Sequence, residues 1–203
     1  SAGVPYPSVD SKLEFMFPKI KEDYLDNGAK IVLVTRDDLP IIEMEIMFNG
    51  GYAIENENNL GLVNFTMSML DEGTKKYSVF GYEDLKSELG SSISFGSSLD
   101  NSYASLSSLK INFDKTLDLL YESLLNPTFP QEEIDRLKKL WISNIDESLT
   151  TPASMAARKV GPLIYGKDHP YGKPSGSGKA EAVSNITRDD IVDIHSKITN
   201  PTN

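Results

Sequence analysis

The feature that most constrains the fold is a change of hydrophobic period across Gly50-Gly51. Before it, Ile42, Met44, Ile46 and Phe48 alternate with Glu43, Glu45 and Met47, the period of a strand with one buried face. After it the period becomes helical, with Leu62, Phe65, Met69 and Leu70 able to share one face from Leu60 onward and Gly73 placed where a C-terminal cap belongs. A chain that makes this change more than once is neither all-α nor all-β. Earlier, Asp26-Asn27-Gly28 marks a tight turn joining a short strand at 23–25 to one at 30–35. Later, a helix over 82–89 stopped by Gly90 leads into two Ser-rich strands, 92–99 and 102–111, turned at Asp100-Asn101. Helices then follow at 115–125, from Pro130 with Ile134, Leu137, Trp141 and Ile145 on one side, and from Pro152 to Tyr165 with a kink expected at Gly161-Pro162. A Gly-rich loop covers 166–180, and a last helix starts at Thr187, with Asp190 in capping-box placement, and ends near Ile198. Hairpin-linked strands with grouped helices predict an α+β class: an antiparallel (mixed) β-sheet packed by helices. Residues 1–22 read as an extended linker and the start of the first strand, and 23–203 as one domain. The abrupt stop at Asn200-Pro201-Thr202-Asn203 suggests a piece of something larger, cut before a final strand.

Composition narrows the chemistry. Thirty acidic against twenty basic residues give a net charge of -10, which repels phosphate backbones and anionic lipid and argues against nucleic acid as a partner. No apolar run reaches eighteen residues, so no membrane-inserted helix is expected. Cysteine is absent, which removes thiol catalysis, disulfides and thiolate metal sites. The two histidines, His169 and His195, lack a partner at metal-ligand spacing and read as structural or surface residues. The Ser clusters, Ser91 to Ser98 and Ser105 to Ser108, read as a polar sheet face or edge, with no G-x-S-x-G to strain a nucleophile. The segment from Gly172 to Lys179 imitates a phosphate loop, but its spacing is one residue too long and Ala180 stands where Ser or Thr is needed. Paired carboxylates at Glu132-Glu133, Asp189-Asp190 and Glu55/Glu57 read as solvated, the first two pairs lying in first helical turns that favour negative charge.

Gly61–Thr74, GLVNFTMSMLDEGT, resembles the zinc-site helix of the pitrilysin/insulinase metallopeptidases, which include mitochondrial processing peptidase and many bacterial periplasmic proteases. Gly61-Leu62, Met69 and Gly73-Thr74 match the frame of G-L-A-H-x-x-E-H-M-x-x-x-G-T. The likeness continues through the Leu25–Gly28 hairpin, Gly51, Leu89-Gly90, Asn126-Pro127-Thr128-Phe129, Glu132–Arg136, His169-Pro170-Tyr171-Gly172, Ile186–Ile191 and the closing Pro201-x-Asn203. It implies a processing-peptidase-like domain in an assembly of four homologous domains, in one chain or two. Where the inverted motif H-x-x-E-H places two imidazoles and a general base, this chain has Asn64, Met67 and Ser68, and the family's third ligand falls at Asn144. An amide, a thioether, a hydroxyl and a second amide are poor zinc ligands and no general base, so the resemblance implies a non-catalytic domain with no cofactor or metal of its own. Zinc is then expected in a catalytic partner, either a homologous domain of the same chain or a partner subunit. This domain would form chamber wall and hold peptide along 93–98 (Ile93, Ser94, Phe95, Gly96, Ser97, Ser98), which corresponds to the substrate-binding edge strand of active domains. The bacterial relatives imply a periplasmic or cell-envelope location. The alternatives are a scaffold subunit with no proteolytic role and, with no positive feature behind it, an independent enzyme using a Ser or His site.

Overall fold

A computed structural model describes residues 17–36, 38–173 and 176–200, and divides the chain at Leu39/Pro40 into two compact units. The first unit is an antiparallel hairpin of β1 (Ile20–Tyr24) and β2 (Lys30–Val34), with Ile20 opposite Val34 and Tyr24 opposite Lys30. Its turn closes with Gly28 at φ 86° and the Gly28 N–H donating to Leu25 O at 2.8 Å. The expected linker over 1–22 therefore gives way to a strand at Ile20, and its residues 1–16 lie outside the described ones, as do Asp37, Pro174-Ser175 and the closing 201–203.

The second unit is built on a three-stranded antiparallel sheet in the order β3 (Ile41–Asn49), β5 (Asn101–Leu109), β4 (Ser92–Ser97). Glu45 pairs with Ser105 and Ser105 with Ser94; Ile46 pairs with Ala104 and Ala104 with Phe95. Alternation then sorts the faces. Ala104, Leu106 and Ile93 are buried, with Met44, Ile46, Phe48 and Phe95 packed on the same core. The opposite face carries Glu43 and Glu45, which accept from Ser107 Oγ and Ser105 Oγ at 2.6 and 3.2 Å. Ser105 and Ser107 of the serine cluster thus lie on the polar sheet face that the sequence suggests, but Ser108 is buried and pairs with Thr116 Oγ1, and the neighbouring Ser102, also buried, donates to Gly50 O.

Helices α1 (Leu62–Met67), α2 (Val79–Glu88), α3 (Phe113–Leu125), α4 (Gln131–Ser148), α5 (Pro152–Tyr165), α6 (Ala180–Asn185) and α7 (Arg188–Ile198) complete the unit. The α1 helix buries Leu62, Val63, Phe65, Thr66 and Met67, leaves Asn64 half-buried, and packs on α7 and β4. It is shorter than its sequence period implies. Regular bonding stops at Ser68, whose Oγ donates back to Asn64 O at 3.0 Å, and Met69, Leu70 and Glu72 follow in tight i to i−3 turns. Gly73, at φ 107°, therefore ends that turn region and does not cap α1. The Gly90 stop on α2 is a Schellman closure: Gly90 N–H bonds Ser87 O and Ser91 N–H bonds Lys86 O. Thr187 and Asp190 form the expected capping box on α7. Pro162 sits inside a continuous α5. The α6 helix, with Ala182 and Val183 buried, falls where no element was expected between the Gly-rich loop and Thr187.

Candidate functional site: the cleft beside the outer strand

The site begins with a buried carboxylate. The α1 helix starts after Gly61 at φ 98°, a residue with no side chain to satisfy the first N–H groups. Glu55 reaches back instead, accepting from Gly61 N at 2.9 Å and Val63 N at 2.8 Å while only 4% exposed. Burial pushes its carboxyl up to about 7, against the two backbone donors and Lys173, which pull it down. Lys173 Nζ donates to Ala53 O at 2.6 Å and to Glu55 O. The solvated reading of Glu55 is thus corrected: an uncapped helix start in the core needs an acceptor, and this residue supplies it. Glycines of the 176–178 loop close the other side. A Cβ on Gly178 would lie 2.1 Å from Leu60 O, and one on Gly176 would lie 2.1 Å from Asn64 Nδ2. Arg158 fixes the same loop through Ser177 Oγ at 2.8 Å and Gly178 O.

Asn64 faces the outer strand. Its Oδ1 accepts from Ser97 N at 2.9 Å and Ser97 Oγ at 2.7 Å. Met67 is buried, the Ser68 hydroxyl is committed to Asn64 O, and Asn144 is exposed on α4. The four positions neither offer anionic or imidazole donors nor leave the Asn64 oxygen free, so they do not fit a zinc ion. Among the described residues no group of three or more His, Cys, Asp or Glu side chains is arranged to hold a metal.

Met67, Ser68 and Asn144 instead line one cleft of about 390 Å³ together with Ile93, Ser94 and Phe95 of β4 and Leu137, Leu140 and Trp141 of α4. The structure therefore brings together residues that the sequence reading placed in two separate roles. Trp141 is fixed in this wall by Nε1 donating to Ser177 O at 2.9 Å and by an edge-on contact with Phe65 at 5.6 Å. Asp71 and Glu72 also line the cleft. Burial raises the Asp71 carboxyl to about 6, with Lys86 opposing. Glu72 is taken up by Arg136 at 2.6 Å, which also holds Glu133.

Among the described residues β4 pairs with β5 alone, so one of its edges faces outward. Ser98 N bonds Asn101 O across the hairpin, so Ser98 opposes Asn101 as a bonded pair. Bonded pairs alternate in an antiparallel ladder. Gly96, Ser94 and Ser92 therefore turn their main-chain groups to β5, and Ser97, Phe95 and Ile93 turn theirs outward. The bond from Ser97 N to Asn64 agrees with that register. Gly96 is packed beneath Tyr103, where a Cβ would meet the phenol oxygen at 2.5 Å.

The other candidates stay apart. His169 Nδ1 accepts from Tyr171 N at 3.0 Å in an exposed turn, and the half-buried His195 has Nε2 2.7 Å from Leu124 O, with burial lowering its pKa. Sequence reasoning missed Glu55, Asp71 and the role of Trp141. The signal available for Glu55 was its place six residues before a glycine-led helix start.

Comparison with known proteins agrees with this geometry. The family model described as Insulinase (Peptidase family M16) matches residues 31–163. Among curated relatives, the non-peptidase homolog YmxG of Helicobacter pylori is 28% identical over 114 residues, covering 55% of this chain and 26% of that protein. An uncharacterized zinc protease of Rickettsia felis is 23% identical over 179 residues, covering 88% of this chain and 43% of that one. The chain thus spans less than half the length of these relatives. A solved M16 peptidase inactive domain from Pseudomonas fluorescens superposes with a TM-score of 0.82 at 26% identity, over 88% of this chain and 43% of that one. A domain-wide fold match, a family model over most of the second unit, amide and hydroxyl side chains at the zinc-ligand places and a thioether at the place of the base lead to one assignment: this chain belongs to the insulinase family of peptidases, M16, as an inactive-type domain.

Proposed function

We propose that this domain is the non-catalytic partner in a zinc metalloendopeptidase of the insulinase type, in the periplasm or envelope of a bacterium. It forms part of the chamber wall and holds peptide along β4, while a homologous domain or subunit carries zinc and hydrolyses the bond. The observation that carries this reading is the coincidence of the altered base position Met67 and the altered ligand positions Ser68 and Asn144 with a cleft that opens on an outer strand. An outward-facing strand edge pairs with an extended main chain, whatever its sequence. The test is the intact mass and subunit composition of the native polypeptide that contains this segment. A second M16-type domain with an intact H-x-x-E-H, in the same chain or co-purifying with it, is the expected result. A native assembly with no such domain overturns the catalytic half of the proposal.

A further inference from the structure

We infer that the altered metal site has become a side-chain pocket for an extended peptide bearing a large apolar residue, with Asn64 setting the register. The inference rests on strand addition at β4 and names its ligand class.

Three outward rungs exist on β4, at Ile93, Phe95 and Ser97, and Asn64 Oδ1 already occupies the Ser97 N–H. An added strand therefore has the rungs of Ile93 and Phe95 to bond, and Asn64 marks the end of its track. Residues directly opposite one another in neighbouring strands point to the same face. The side chains of Ile93 and Phe95 belong to the core face. A peptide residue opposite either of them must therefore send its side chain to that same side, where the cleft lies between β4 and α4. Its walls there are Met67, Leu137, Leu140 and Trp141, a thioether, two isobutyl groups and an indole, and its volume of about 390 Å³ leaves room for a leucine or phenylalanine side chain. The main-chain rungs identify the occupant as an extended strand, and the lining selects an apolar residue at the point it enters. A carboxylate there would meet Asp71, which lines the same cleft, whereas Glu72 is already paired with Arg136. Asn64 is a positioning residue in this scheme: it touches β4 and not the peptide.

The 203-residue chain contains a single tryptophan, Trp141, so its emission reports on the cleft directly. The probes are blocked hexapeptides of alternating threonine and lysine with one central position set to leucine, phenylalanine, alanine or glutamate. Leucine and phenylalanine peptides are expected to shift Trp141 emission and the amide resonances of Ile93 and Phe95, leaving Ser97 in place, and to bind about tenfold or more tighter than the alanine and glutamate peptides, as burial of one such side chain implies. Leu140→Glu, at a position 52% exposed, should weaken the leucine peptide about tenfold with an unchanged melting temperature. Asn64→Ala should bring the Ser97 amide into the shifted set, and Asn64→Asp, which keeps an acceptor, should not. Equal affinities for all four peptides, with Ile93 and Phe95 still shifting, would overturn the pocket and leave strand addition standing. A Ser97 amide that shifts in the unaltered chain as far as Phe95 would overturn the register role of Asn64. If no peptide moves Ile93 or Phe95, strand addition itself fails and the pocket with it.

Discussion

Glu55 shows how much one residue decides here. Its carboxyl is raised to about 7, well above the value of 4.5 it has when solvated. Between those values the folded chain holds a proton that the unfolded chain has released, so the contribution of Glu55 to stability falls as pH rises through the window and is level above it. The size is about 3 kcal/mol, from the shift alone. Asp71, raised to about 6 by burial, acts in the same direction on a smaller scale. Glu55→Gln resembles the protonated form and removes the first of these dependences. The unfolding free energies of the two proteins, measured by urea titration at pH 5 and pH 8, should therefore differ from each other by amounts about 3 kcal/mol apart, with the unaltered chain relatively weaker at pH 8. A constant difference across that range would show that Glu55 titrates as an ordinary surface carboxyl. The chain carries only a hint of the pairing with Gly61, the place of Glu55 six residues before a glycine-led helix start, because tertiary packing decides which acceptor serves the freed N–H groups. The metal-site residues were legible for the opposite reason: Asn64, Met67 and Ser68 fall at fixed offsets in a recognisable frame.

At the scale of elements, local chemistry wrote most of the boundaries. The Asn27-Gly28 turn, the glycine stop at Gly90 and the Thr187/Asp190 box each act within about six residues, and each is where the sequence places it. Elements defined by tertiary contact were harder. The six residues of α6 span less than two turns and bury only Ala182 and Val183, too few for a period to show. The early end of α1 depends on a side-chain back-bond from Ser68. Two glycines separate these cases experimentally. Gly90 has φ 59° and open space around a Cβ, so Gly90→Ala should cost about 1 kcal/mol, the left-handed strain alone. Gly178 has φ 73° and would drive a Cβ to 2.1 Å from Leu60 O, so Gly178→Ala should cost about 3 kcal/mol or more. Urea midpoints for the two variants check the contrast. Equal losses would mean that the 176–178 loop is not seated on the start of α1. The register of β4 was only partly legible: alternation gave its faces, but which rungs point outward required the bond from Ser98 to Asn101.

Over the whole molecule, charge and cleft act together. A net charge of -10 draws cationic chains by long-range attraction, whereas the apolar lining of the cleft acts only on contact. The association rate of a lysine-containing peptide should thus fall as salt is raised from 0.01 to about 0.5 M, with little change in its dissociation rate. Stopped-flow fluorescence of Trp141 separates the two, and a rate indifferent to salt would remove the acidic surface from the account. This M16 domain is proposed to hold peptide where active members of the family hold metal. The most direct test of that proposal is equilibrium dialysis of the 203-residue chain against zinc, with metal analysis of the protein and mass spectrometry of a leucine-bearing peptide in the same cell. No zinc above the buffer level and an intact, bound peptide are the expected result. One zinc per chain and a cleaved peptide, both lost on changing Asn64 or Ser68 to alanine, would contradict it.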